Sequence, residues 1–400
     1  MTREYKSFIN RPFLFLCFMN FLINIVFNMT SPISPRYAIS LGASATISGV
    51  LAGIFSITAL IVRPFSGALA DNVNKKLMIA GGVTLMALGS FGMTMTSSIP
   101  VMMLMRIVQG TGFCLNGTVI ISAAIAFMPQ DRIGEGISYF SLASVISQSI
   151  GPAISLELGG RYGYKPMLLV IGSLAAVCAV LISVVPYEGR EREPLRLRPF
   201  KLELNSLFAK KLLPYTLFVG LFSFCNSQIS NFLSLRCDEA GITGYSIYFT
   251  INAVALFAVK AIGGKLIDSK GLSFVLLPAY LSTAAAMFFI GKANSLGFVL
   301  AASVFMAIGI GFGQPGIQAE CVKQMGQSQR GLATSMYYLG CDFFQGIGPV
   351  VGGSITDATG SYANNYFAAC ALMIFGFVSY SIFAAAKNRA ARGSSTESVI

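Results

Sequence analysis

The sequence predicts an all-α membrane protein with twelve transmembrane helices in two pseudo-symmetric six-helix bundles. Three observations carry this reading. The 400-residue chain is 54% hydrophobic and only 11% charged, with a mean hydropathy of +0.70. Polar residues are therefore too few to coat a water-soluble globule. Its apolar residues fall into runs of about 20, the length that crosses about 30 Å of hydrocarbon. The chain also repeats itself once, at an offset of 197 residues.

The repeat rests on separate patches. Arg63, Gly67, Leu69 and Asp71 return as Lys260, Gly264, Leu266 and Asp268. Gln148, Gly151 and Pro152 return as Gln345, Gly348 and Pro349, and Arg132 and Arg330 are offset by 198. Internal duplication in an apolar chain is how many membrane transporters are built, with the site between the repeats.

The expected spans are 12–35, 45–70, 77–97, 99–127, 134–159 and 166–186, then 212–235, 244–267, 273–291, 295–321, 331–356 and 363–386. The longest polar connection, 187–211, separates the two sets; it is charged and contains proline, as a loop between domains would. The organisation that follows is an N-terminal bundle 1–186, a cytoplasmic linker 187–211, a C-terminal bundle 212–386 and a cytoplasmic tail 387–400. The first run follows Arg3, Lys6 and Arg11. It is too long for a signal peptide and lacks a small-residue cleavage site, so it reads as a retained span.

Lysine and arginine set the orientation. With both termini inside, cytoplasmic segments carry Arg3, Lys6, Lys75, Lys76, Arg132, the basic linker, Lys270, Arg330, Lys387, Arg389 and Arg392. External segments carry Arg36, Arg161, Lys165, Arg236 and Lys292. Anionic lipid on the cytoplasmic leaflet favours this arrangement. The net charge of +12 is thus spread by topology, and no basic patch for nucleic acid is formed.

Composition also excludes chemistry. The chain has no His and no Trp, which removes histidine metal sites, histidine proton relays and Ser-His-Asp catalysis. Its eight Cys sit singly, mostly in apolar stretches, and read as small buried hydrophobes. No metal cluster, nucleotide loop or nucleophile–base pair appears. No metal or cofactor, no enzyme activity and no ATP-driven pumping within the chain are therefore expected.

Three motifs carry chemistry. Gly67-Ala-Leu-Ala-Asp71-Asn-Val-Asn-Lys75-Lys76 joins spans two and three, with a weaker copy from Gly264 through Asp268 to Lys270. Glycine lets helices approach closely, and an acid at a cytoplasmic helix end must find a donor or a positive dipole. Span four holds Arg106-Ile-Val-Gln109-Gly110-Thr-Gly112, and spans five and eleven hold Gly151-Pro152 and Gly348-Pro349-Val-Val-Gly352-Gly353. Span eleven opens as Arg330-Gly-Leu-Ala-Thr-Ser-Met-Tyr337-Tyr338 before a mid-span acid.

On these motifs the chain resembles the major facilitator superfamily over nearly its whole length. Within it, the closest resemblance is to the twelve-span drug and metabolite:proton antiporters. The resemblance implies a gate at Arg63, Gly67, Asp71, Lys75 and Lys76 with helix packing at Gly151, Pro152, Gly264, Asp268, Gly348 and Pro349. It also implies proton coupling at Arg106, and a carrier that works as a monomer among membrane lipids. The first motif departs from the family pattern at Asn72 and Asn74, where a basic residue and a glycine are usual.

Several polar residues in spans call for an explanation, because unpaired amides and charges are costly in lipid. Asn20, Asn24 and Asn28 form one stripe along span one. Gln109, Asn116, Gln148, Asn226, Ser230, Gln314, Gln318, Tyr338 and Gln345, with Phe113 and Phe222, complete a candidate substrate cavity. The alternative is hydrogen bonding between helices. Arg106 is either a coupling residue or one half of a structural pair with Glu157. Asp342 sits mid-span and is the first candidate for proton carrier, with Glu320 and Glu157 behind it; its alternative role is a permanent bond to neighbouring hydroxyls.

The expected function is secondary active transport by alternating access, with protons and a small organic solute as partners. Efflux of a drug or metabolite in exchange for protons comes first. Proton-coupled import of a nutrient is the alternative, and a lipid scramblase or channel-like sensor stands further off.

Overall fold

The computed structural model describes residues 10–72, 74–125, 127–128, 133–184, 209–325 and 330–397. The linker expected at 187–211 lies outside them except for its last three residues. No strand occurs among the described residues. Twelve α-helices follow one another: α1 Arg11–Ser40, α2 Ala45–Asn72, α3 Lys75–Thr94, α4 Ile99–Ile125, α5 Ile133–Tyr162, α6 Tyr164–Val184, α7 Leu213–Glu239, α8 Ile247–Lys270, α9 Leu272–Gly291, α10 Leu296–Met325, α11 Arg330–Thr359 and α12 Tyr362–Glu397. Each overlaps one expected apolar run; α1, α5, α7, α8, α10 and α11 extend three to five residues beyond it at the C-terminal end, and α12 runs on to Glu397. Among the described residues, nine helices are long and apolar enough to cross a membrane: α1–α4, α6, α7, α9, α10 and α12.

Helix ends follow local chemistry. Asn10 Oδ1 accepts from Phe13 N at 2.9 Å and caps α1, with Pro12 in the first turn, where its missing N–H costs nothing. Asn74 Oδ1 accepts from Lys76 N at 2.9 Å and Leu77 N at 3.4 Å. The residue that breaks the loop motif's usual glycine therefore serves as the N-cap of α3. Gly271 alone joins α8 to α9, in a left-handed conformation (φ 81°) that a side chain would resist.

The chain divides into two compact units. The first comprises Met1–Leu202, Ser230–Leu235 and Pro349–Asp357; the second comprises Glu203–Ile229, Arg236–Gly348 and Ala358–Ile400.

In the first unit α1 packs on α5 and α6, α3 on α4 and α6, and α2 on α4. Its core includes Leu16, Met19, Ile33, Leu51, Ile79, Val119 and Leu168. Lipid offers helices no hydrophobic incentive to associate, so close packing must supply the attraction. The α3–α4 crossing shows how this is achieved: a Cβ on Gly112 would collide with the backbone oxygen of Gly82. Gly151 packs in the same way on Asn28 and Met29 of α1. Lys75 Nζ donates to Ser122 Oγ at 2.9 Å, tying the start of α3 to the end of α4.

In the second unit α9 packs on α10 and α12, and α8 on α10. An aromatic cluster forms its core: Phe222 meets Tyr280 at a tilt with centroids 4.7 Å apart, and Phe218 meets Tyr380 edge-on at 5.3 Å. Buried Arg236 staples α7 to the chain after α9, its Nη2 donating to Gly291 O at 3.0 Å and Ala293 O at 2.9 Å.

Candidate functional site

The first unit holds a buried cation. Arg106 projects from α4 and is only 2% exposed. Its Nε donates to Leu51 O at 3.4 Å and its Nη1 to Gln109 Oε1 at 3.1 Å. Gln109 in turn donates to Ser90 Oγ of α3 at 2.8 Å. The guanidinium lies 4.7 Å from the ring centre of Phe55, a contact worth about 2 kcal/mol when desolvated. Phe55 belongs to a trio with Phe27 and Phe113, whose centroids are 4.6 to 5.3 Å apart. Among the described residues no carboxylate lies within 4.0 Å of Arg106.

Glu157 therefore has a different partner from the one considered in the sequence. It pairs with Arg161 at 2.6 Å, one turn along α5, with both side chains more than half exposed. Water screens so exposed an i,i+4 pair, which contributes only about 0.3–0.5 kcal/mol.

The amides divide by depth. Asn20 is buried, and its Nδ2 donates to Phe140 O at 3.2 Å and Ser144 Oγ at 3.4 Å, joining α1 to α5. Asn24 and Asn28 donate back along α1 to Asn20 O and Asn24 O, both at 2.8 Å, and remain half-buried. Helix-to-helix bonding thus accounts for Asn20, while Asn24 and Asn28 keep accessible surface. Asn116 is fully buried, its Nδ2 donating back along α4 to Gly112 O at 2.9 Å and reaching Met86 Sδ of α3 at 3.7 Å. Gln109 is buried as well and positions Arg106, whereas Gln148 is exposed.

In the second unit α11 presents two faces. Gly340, Phe344 and Gly348 meet α7 at Thr216, Gly220 and Ser227. Tyr338, Asp342 and Gln345, spaced i, i+4 and i+7, share a separate stripe of the helix. Tyr338 is exposed, and Asp342 and Gln345 are half-buried. Gln314 of α10 donates to Ser223 Oγ of α7 at 3.2 Å, while Gln318 and Asn226 are half-buried. Phe222 is fully buried against Tyr280. Ser230, assigned to the first unit, is half-buried.

Glu320 is engaged elsewhere. Its Oε1 accepts from Lys387 Nζ at 2.9 Å, Gln324 Nε2 at 2.7 Å and Tyr215 OH at 3.4 Å. Lys387 Nζ also donates to Tyr215 OH at 2.9 Å. The sequence gives no hint of this cluster, because its members lie on α7, α10 and α12 with no fixed spacing between them.

Of the expected gate residues, Arg63 is half-buried and its carbonyl accepts from Ser66 Oγ at 2.8 Å. At Gly67, Asp71, Gly264 and Asp268 only the helical backbone is described. Pro349 O is the atom that a Cβ on Gly49 of α2 would strike. No group of three metal-ligating side chains gathers among the described residues.

Long apolar helices with ionisable side chains held inside them define a multi-pass membrane protein with an internal polar site. The chain belongs to the Major Facilitator Superfamily, whose family pattern matches residues 16–291 and 243–398. It is 24% identical over 365 residues to an uncharacterized MFS-type transporter of Methanocaldococcus jannaschii, covering 88% of this chain and 92% of that one. It is 25% identical to the staphylopine export protein of Staphylococcus aureus (65% and 67% covered) and 25% identical to the quinolone resistance protein NorA of the same species (60% and 66% covered). The chain thus spans about two thirds of the length of these two staphylococcal relatives.

Among solved structures it matches the nucleoside transporter NupG with a TM-score of 0.74 at 14% identity, covering 93% of this chain and 99% of that one. A POT family transporter in complex with 5-aminolevulinic acid matches with a TM-score of 0.77 at 15% identity (95% and 98% covered). These likenesses establish the major facilitator fold.

Proposed function

We propose that this protein is a secondary active transporter that exports a small organic molecule in exchange for protons. It would work as a monomer of twelve spans in two bundles, 1–186 and 212–386, with both termini cytoplasmic, and not as an enzyme. The observation that carries the reading is Arg106, a buried guanidinium without a carboxylate partner among the described residues, set over Phe55 in a cluster of three phenylalanine rings. Such a site favours an amphipathic or zwitterionic solute: the rings take its flat apolar part, and the cation takes a carboxylate or an electron-rich oxygen. The export activity named for the staphylopine relative agrees with this direction.

In this reading Asp342 carries the proton. It is the acid placed mid-span on an accessible face of α11, whereas Glu320 is held by three donors and Glu157 pairs on the surface. The test is transport in proteoliposomes under an imposed pH gradient, with a panel of metabolites and drugs. Solute accumulating against the proton flow supports exchange. Solute accumulating along with protons overturns it in favour of import on the same fold.

A further inference from the structure

The second unit contains a cavity of ≈190 Å³ that the transport reading does not use, at the end where α7 and α9 begin and α10 and α12 bring up Glu320 and Lys387. Tyr215, Tyr380 and Phe383 wall it, and Glu320, Lys387 and Ser273 supply its polar groups. All three donors that reach Glu320 converge on Oε1. Among the described residues none reaches Oε2. Lys387 spends two of its three N–H groups, on Glu320 Oε1 and Tyr215 OH, and its side chain is 49% exposed. Two residues that line the cavity thus keep hydrogen-bonding capacity, Glu320 at Oε2 and Lys387 at its third N–H.

This pairing selects a ligand chemistry. A bare cation is repelled by Lys387, and a bare anion meets the Glu320 carboxylate. A zwitterion with an ammonium and a phosphate a few bonds apart satisfies both groups, and the aromatic walls accommodate the short linker between its charges. The surroundings name the source. Leu213, Phe274 and Ile382, beside the cavity in sequence, are exposed apolar side chains, as at a lipid-facing surface. Basic groups gather at the same end: Lys270 Nζ lies 4.5 Å over the Phe274 ring, and Lys211 Nζ donates to Gln324 O at 3.2 Å. Exposed apolar side chains next to lysines mark headgroup depth.

We propose that this cavity binds the phosphoethanolamine headgroup of a membrane lipid, ammonium on Glu320 Oε2 and phosphate on Lys387 Nζ. The site is independent of the export reading, because it is tested by binding without transport. The purified full chain is mixed with equal amounts of phosphatidylethanolamine, phosphatidylcholine and phosphatidylglycerol of matched acyl chains, and retained lipid is read by native mass spectrometry. Phosphatidylethanolamine is expected to be retained over phosphatidylcholine by about tenfold, because choline has no N–H to give.

Glu320→Gln and Lys387→Met should each remove that preference. Because either change could loosen the helix ends, Ala384→Phe provides a second route: it fills the cavity, leaves the Glu320–Lys387 pair in place, and should lower retention at an unchanged melting temperature. Equal retention of the choline lipid, or stronger retention of phosphatidylglycerol, overturns the proposal. So does a preference that survives all three substitutions. Protection against melting by soluble O-phosphoethanolamine at concentrations as low as the lipid's would overturn the lipid as source.

Discussion

Asp357, at the end of α11, caps α2 from outside that helix: its Oδ1 accepts from Ala45 N at 2.9 Å and its Oδ2 from Thr46 N at 2.8 Å. All three residues belong to the first unit. Two close approaches accompany the cap, since a Cβ on Gly49 would strike Pro349 O and one on Gly353 would strike Ala45 O. A carboxylate on the first N–H groups of a helix meets both unpaired donors and the positive end of the helix dipole.

The cap predicts a pH profile. Burial raises the Asp357 pKa, but hydrogen bonds from Thr46, Ser44 and the Ala45 backbone outweigh it and bring the value down to about 2. A value below the ordinary carboxylate level of about 3.9 contributes stability above that pH, lost only as pH falls through about 2. Asp357→Asn should therefore melt below the wild type by the same margin at pH 5, 6.5 and 8. A margin that changes across that range would mean that another group titrates at the cap.

Arg236→Ala should lower stability by about 3 kcal/mol, since it strips charge-assisted bonds from two buried carbonyls. Arg236→Lys should recover only part, because one ammonium on a shorter reach cannot serve Gly291 and Ala293, as Nη2 does, and also Glu239 Oε2, as Nη1 does at 3.5 Å. Thermal melting in detergent, compared across the three proteins, measures this.

Arg106→Lys should cut transport by about tenfold or more while leaving the fold intact, because an ammonium lacks the planar contact with Phe55 and the fork to Gln109 and Leu51. Gln109→Leu should weaken transport less and chiefly through KM, since Gln109 holds Arg106 from the side. Initial rates over a range of solute concentrations separate the two.

Asp342→Asn should abolish transport driven by a pH gradient while leaving expression and solute binding near normal. Counterflow, which exchanges labelled for unlabelled solute without net proton movement, should survive. Coupling that persists in this variant would remove Asp342 from the mechanism.

Much of the fold was legible in the sequence because the bilayer leaves little choice: apolar runs of fixed length become helices. The site was legible only in part. Arg106 announced itself as a charge within an apolar run, yet its aromatic partners Phe27 and Phe55 come from α1 and α2 with no sequence spacing to link them to it. The stripe of Asn20, Asn24 and Asn28 was visible, but which amides would be consumed within α1 depended on rotamers that periodicity does not record. Asn74 looked like a loss from the loop motif, although the same residue type is a strong helix cap. Lys387 finds Glu320 across 67 positions of sequence, a meeting that only the packing of α10 and α12 creates.

The rings beside Arg106 also make the site optically addressable. Because the chain contains no tryptophan, Phe113→Trp would place the protein's sole indole among Phe27, Phe55 and the guanidinium. Its emission colour would report the polarity of that one location, and quenching by an aromatic solute would give an occupancy curve without any label or any turnover.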